Sequence, residues 1–85
     1  MTMSGQISPN PNFDTLEILD DQYNNIVFKN SGGLSINGTL TDNGTLINMG
    51  TLTNYGTFNN KSDGIIKGTG KIIGDTNSYG TISIG

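Results

Sequence analysis

From Gly32 onward the chain is written in six-residue words. Glycine recurs at positions 32, 38, 44, 50, 56, 68, 74 and 80, with Ser62 alone out of step, so nine hexads fill residues 32–85. A period this short and this regular restricts the fold to one in which each word builds the same unit and neighbouring units stack to bury what one cannot bury alone. Two places after each early glycine stands an apolar residue: Leu34, Leu40, Leu46, Leu52 and Phe58, and again Ile82 near the end. Side chains alternate faces along a strand, so in G-T-L-T-N the leucine points with the glycine and the two threonines point the other way. Asn or Asp takes the fifth place, at Asp42, Asn48, Asn54 and Asn60. Asn, Asp and Gly tolerate left-handed backbone, so each N-x-G reads as a corner, with Asn48 and Asn54 beside the bends at Gly38, Gly44, Gly50 and Gly56. Strand, corner, strand, corner is an all-β parallel β-helix, a β-solenoid; a helix needs apolar spacings of three and four, which this pattern lacks.

Composition by itself leaves disorder open, because only 32% of the chain is hydrophobic and thirteen of its 85 residues are glycine. The register decides for a stacked structure. It falters once, in KSDGIIKGTGKIIGDTNSYG. Moving the frame by two residues at Ser62 and Asp63 restores an apolar residue after Gly64 and Gly70, at Ile66 and Ile72, and the four residues Thr76 to Tyr79 return the frame to Gly80. Both irregularities read as outward bulges at corners. The core is therefore Leu34, Leu40, Leu46, Leu52, Phe58, Ile66, Ile72 and Ile82. With three hexads in a triangular coil, Leu34 stacks on Leu52 and the residues near Gly70, Leu40 on Phe58, and Leu46 on Ile66 and Ile82, in about three coils. A flattened coil of twelve residues, or a longer one with more corners, fits the same period. Residues 1–31 do not keep the hexad, although Leu16 and Ile18, and Ile26 and Phe28, alternate. They read as an irregular N-terminal cap or an arm exchanged with a neighbour, or as an irregular first coil, ahead of the solenoid at 32–85.

The segments Gly38 to Asn60, Gly68-Thr69-Gly70, and Tyr79 to Ile82 resemble the GT-[LI]-x-N repeats in the passenger regions of autotransporters and other large bacterial surface adhesins, over roughly residues 26–85. That resemblance implies a right-handed parallel β-helix at a cell surface, with a surface glycan or another cell-surface group as the kind of partner it allows. No translocator barrel, signal sequence or adhesive insertion accompanies it. Left-handed β-helix acyltransferases also count in sixes. They place a small residue directly after each inward aliphatic, or Ser, Thr, Ala or Val four places on. This chain has Thr or Ile directly after and Gly four after, and no histidine to act as the base those enzymes use.

Chemistry finds little purchase. With no cysteine and no histidine, neither a thiolate metal site nor the commonest general base is available. Asp14, Glu17, Asp20 and Asp21 form the acidic cluster, read as a solvated edge; Asp20 and Asp21 lack the alternating oxygen ligands of a calcium loop. Gly68-Thr69-Gly70-Lys71 lacks the full phosphate-loop pattern and reads as a strand bend. Asn37, Asn43 and Asn60 open glycosylation-type triplets that the wording of the repeat itself produces. The expectation is no enzyme and no cofactor. A net charge of −3 with four lysines and no arginine speaks against nucleic acid, and no apolar run is long enough for a membrane span. Met1 to Phe13 lacks the features of a signal peptide, so an extracellular site implies a removed leader, excision from a longer chain or another export route.

Assembly remains. A short solenoid has ends that are large relative to its sides, and an uncovered end is a row of unpaired strand edges. Ile82 and Ile84 at one end, and Leu16 and Ile18 at the other, are the candidate self-association residues. Acids before residue 28 and Lys61, Lys67 and Lys71 in the last third favour head-to-tail contact. The sequence thus points to a structural, self-associating protein of an extracellular filament or a β-helical oligomer, with a stalk segment of a surface adhesin as the alternative. Ice binding through the outward threonines, Thr39 with Thr41 and Thr51 with Thr53, is a third reading.

Overall fold

The computed structural model describes residues 5–8 and 10–84. Each T-L-T-N word becomes a four-residue strand, because β-branched threonine and a large apolar residue suit a pleated, half-buried backbone. The strands are β1 (Thr15–Ile18), β2 (Asp21–Asn24), β3 (Val27–Asn30), β4 (Gly33–Ile36), β5 (Thr39–Asp42), β6 (Thr45–Asn48), β7 (Thr51–Asn54), β8 (Thr57–Asn60), β9 (Ile65–Gly68), β10 (Lys71–Ile73), β11 (Asn77–Ser78) and β12 (Thr81–Ile84). They wind in threes into a parallel β-solenoid with three four-stranded faces: β1-β4-β7-β10, β2-β5-β8-β11 and β3-β6-β9-β12. Side chains stacked in adjacent coils lie 18 residues apart in sequence, so the coil is triangular and holds three hexads. There are four coils rather than three.

The additional coil comes from the segment expected as a cap, an arm or an irregular first coil, and the last of these forms. Thr15 pairs with Gly33, Asp21 with Thr39 and Val27 with Thr45, all parallel and in the common register. The solenoid therefore begins well before residue 32, and the capping role falls to residues 5–8 and 10–12. There Ile7 N–H donates to Tyr23 O at 2.9 Å and Asn12 N–H to Lys29 O at 2.9 Å, while the buried Ile7 side chain closes the top of the core.

Inside, the expected columns form. Leu34 sits over Leu52 and Ile72, Leu40 over Phe58, and Leu46 over Ile66 and Ile82. Leu34, Leu40, Leu46, Leu52, Phe58 and Ile66 are buried, joined by Ile18, Phe28 and Ile36, with Ile72 partly buried against them. Each fully buried aliphatic side chain contributes about 1.5–3 kcal/mol relative to exposure. Ile82 is the exception at 43% exposed, because no described strand lies beyond β12.

Two features of the frame differ from expectation. Thr45 pairs with Ile65, two residues beyond the common register, and Ser62 and Asp63 form the turn that absorbs the excess at a corner. That is the expected outward bulge. The second irregularity is instead a shortening: the four-residue word Thr76–Tyr79 leaves room only for the two-residue β11 and returns Asn77 to a position opposite Asn59. The corners also have a different cause. Positive φ occurs only at Gly68 (129°) and Gly74 (102°), and at no non-glycine residue among those described. At Gly38, Gly44, Gly50 and Gly56 the constraint is space: a Cβ would lie within 3.0 Å of the backbone oxygens of Asp20, Ile26, Gly32 and Gly38, respectively, in the coil above.

Candidate functional site

Strand alternation puts the fifth residue of each word on the same side as its leucine, so the corner asparagines point inward and are buried. Asn12, Asn24, Asn30, Asp42, Asn48 and Asn60 are each at most 1% exposed. A buried amide without partners is costly, and stacking coils in register supplies the partners. At the corner after the third face, Asn12 Nδ2 donates to Asn30 Oδ1 at 2.9 Å, Asn30 Nδ2 to Asn48 Oδ1 at 2.9 Å, and Asn48 Nδ2 to Lys71 O at 2.9 Å. The same amides brace the bend. Asn30 Nδ2 also reaches Gly32 O at 3.1 Å, and Asn24 Nδ2 reaches Ile26 O at 2.8 Å and Thr45 O at 3.0 Å.

A second column runs down the corner after the second face. Gln6 Nε2 donates to Asn24 Oδ1 at 2.7 Å and Asn24 Nδ2 to Asp42 Oδ1 at 3.0 Å; two coils lower, Asn60 Nδ2 donates to Ser78 Oγ at 3.1 Å. Between them the relay stops. Asp42 and Asn60 are opposite one another in the register, yet Asp42 Oδ2 and Asn60 Oδ1 are both buried without a partner. Burial pushes the Asp42 carboxyl up from an ordinary 3.8 to about 6, against the pull of the Asn24 amide and the Gly44 and Ile65 N–H groups. The Ile65 N–H also donates to Gly44 O at 2.8 Å. The corner after the first face is apolar where the others are polar, with Ile18 and Ile36 buried above a half-buried Asn54 that donates to Asp75 O at 2.6 Å. Sequence reasoning gave the asparagines to the bend alone; the period-two alternation was the signal that places them inside.

The open end is the second feature. β10, β11 and β12 are each the last strand of their face, and Ile82 is exposed there. Ile84 lies in β12, but its side chain falls outside the described residues. At the opposite end Leu16 is half-buried against the core, and Ile18 is fully buried within it. Ile18 is therefore a core residue and offers no surface for association; its inward position in β1 places it above Ile36. Residues 6 and 12 bridge to Tyr23 and Asn30, and among the described residues none pairs with the upper edge of β1.

The remaining sequence candidates are dispersed. Asp14, Glu17, Asp20 and Asp21 lie along the first coil, and among the described residues no three His, Cys, Asp or Glu side chains gather as a metal site would require. Gly68 to Lys71 is a corner leading into β10, as expected. Asn37 and Asn43 are exposed, whereas Asn60 is buried in its column and closed to modification in the folded chain. Thr39 and Thr41 stand on the second face but Thr51 and Thr53 on the first, so no T-x-T pair repeats on consecutive coils of one face. A shallow depression of about 490 Å³ on the second face is lined by Asp21 and Tyr23 of β2, Thr39 and Thr41 of β5, and neighbouring amides. No protein-family model, curated protein or solved structure matches the chain.

Proposed function

We propose that this chain is a structural β-solenoid subunit that associates with further copies of itself, in an extracellular filament, fibre or β-helical oligomer. The observation that carries this reading is the open end: three strand edges side by side, with the half-buried Ile72 and the exposed Ile82 at the floor of the core they frame. Unpaired N–H and C=O groups in a row are a template for another strand, and a second solenoid supplies three strands at the same spacing. Charge favours the same contact. The first coil carries Asp14, Glu17, Asp20 and Asp21 against Lys29, while the last two carry Lys61, Lys67 and Lys71 against Asp63 and Asp75. The adhesin-stalk reading is favoured by the outer columns, such as Thr39 over Thr57 and Thr41 over Asn59. Short polar side chains of this kind suit a spacer whose binding groups lie elsewhere.

Sedimentation and electron microscopy of the 85-residue chain test the proposal. Species larger than the 9.0 kDa chain, weakened by salt, are expected. Thr81 N–H donates to Gly64 O of the coil above, so alternation turns the Ile84 N–H of β12 to the open edge; Ile84→Pro removes it and is expected to abolish association while leaving the circular dichroism spectrum unchanged. A monomer at high concentration that is indifferent to salt overturns it.

A further inference from the structure

The break in the second polar column is more specific than a missing contact. In the complete column of the third corner, every buried amide oxygen that faces the coil above receives an N–H from it: Asn30 Oδ1 from Asn12 and Asn48 Oδ1 from Asn30. Asn60 keeps the orientation of its counterparts, its Nδ2 donating downward to Ser78 Oγ and to Thr81 O, each at 3.1 Å. Its Oδ1 therefore faces upward and awaits a donor. The residue above is Asp42, whose Oδ1 is occupied by Asn24 Nδ2 at 3.0 Å and by Gly44 N–H at 3.3 Å. The free oxygen Oδ2 occupies the place that Nδ2 holds in an asparagine. An ionised carboxylate there sets two acceptors against each other in a buried site, where the remaining neighbouring donor, the Ile65 N–H, already serves Gly44 O.

We propose that Asp42 holds a proton on Oδ2 in the folded chain and donates it to Asn60 Oδ1, completing the column, so that the solenoid is held more tightly in mildly acidic than in neutral solution. One proton satisfies both orphaned atoms at once. Gly64 closes the pair from the side, since a Cβ on it would meet Asn60 Oδ1 and the Asp42 backbone oxygen, which keeps water from substituting for the proton. No formal charge offsets ionisation. β2 presents Asn24 from above and β8 presents Asn60 from below, while Asp21 and Tyr23 of β2, Lys61 and Asp63 at the next corner and Lys67 of β9 stand at outward or exposed positions. The upward displacement of the Asp42 carboxyl, to about 6, agrees with this geometry.

The test compares urea unfolding of the native chain and Asp42→Asn between pH 4.5 and 8. The other carboxylates are common to both proteins and drop out of the difference. The native chain is expected to lose about thirtyfold in its folding equilibrium constant relative to the variant across this range, the part of a carboxyl shift from 3.8 to about 6 that is expressed above pH 4.5. Asp42→Asn, which supplies the missing N–H, is expected to be the more stable of the two at pH 8. Carboxyl carbon NMR on the native protein gives a second readout, with the Asp42 resonance titrating near 6. A native chain and variant with the same pH dependence, a variant less stable than the native chain at pH 8, or an Asp42 resonance that titrates near 4, each overturns the proposal.

Discussion

Replacing Asn30 by alanine separates an inward polar column from a simple bend. The substitution removes the bond from Asn12 Nδ2 and the bond to Asn48 Oδ1, both at 2.9 Å, together with those to Gly32 O at 3.1 Å and Thr51 O at 3.4 Å. The consequences for the partners differ. Asn12 Nδ2 keeps Asp14 O at 3.2 Å and Gly33 O at 3.1 Å, so it is not stranded. Asn48 Oδ1 loses the donor that the column gave it, at a residue 1% exposed. One stranded buried acceptor costs about 1–3 kcal/mol, and the other lost bonds about 1 kcal/mol together. The expected loss is therefore about 3 kcal/mol, out of a total on the order of 4–13 kcal/mol for a chain of this length. The assay is urea unfolding followed by circular dichroism, read as a fall in midpoint at unchanged slope. The control is Asn37→Ala at an exposed corner, expected to stay within about 0.5 kcal/mol. If Asn30→Ala costs no more than Asn37→Ala, the asparagines serve only the turn and the column contributes nothing.

Glycine at the corners is tested by Gly50→Ala against Gly33→Ala. The first drives a Cβ into Gly32 O of the coil above while the second meets nothing within 4 Å, so thermal melts should show a large loss for Gly50→Ala and little change for Gly33→Ala. Leu46→Ala, in the middle of its column, should cost about 2–5 kcal/mol by the same unfolding assay. Ile82→Ala at the open end should cost well under half as much in the isolated chain, because Ile82 is already 43% exposed. The pH dependence through Asp42 has a defined sign. Its folded-state carboxyl is raised, so between about 3.8 and 6 the folded chain holds a proton that the unfolded chain has lost. That contribution is fully present below about 3.8 and is lost as pH rises through about 6, by about 3 kcal/mol over the whole span.

The parts of the fold legible in the sequence are those where one residue type answers one physical demand. Leu34, Leu40, Leu46, Leu52 and Phe58 are spaced to meet across coils, and they do. Asparagine answers two demands at once, since it suits bends and also suits a buried row in which each amide donates to the next. The first reading hid the second, and with it the one place where aspartate interrupts the row. Ile18 was misplaced for a related reason. As an apolar residue outside the glycine wording it looked like surface at a solenoid's end, when its partner Ile36 shows it to be the first member of an apolar column.

The first coil escaped the hexad count for the same spatial reason. A corner glycine is required where the backbone oxygen of the preceding coil crowds the position of its Cβ. Gly32 faces Asp14 O, Gly38 faces Asp20 O and Gly44 faces Ile26 O. The residues one coil earlier at those corners are Asp14, Asp20 and Ile26 themselves, and among the described residues only the short segments 5–8 and 10–12 pack on their side. With no full coil above them they carry side chains at no steric cost, and glycine there would only enlarge the conformational freedom lost on folding. The glycine word therefore records the presence of a coil above. Its absence from residues 13–31 marks the coil at the top of the stack, whose inward pattern of Leu16 and Ile18, Gln22 and Asn24, Phe28 and Asn30 is otherwise that of the rungs below.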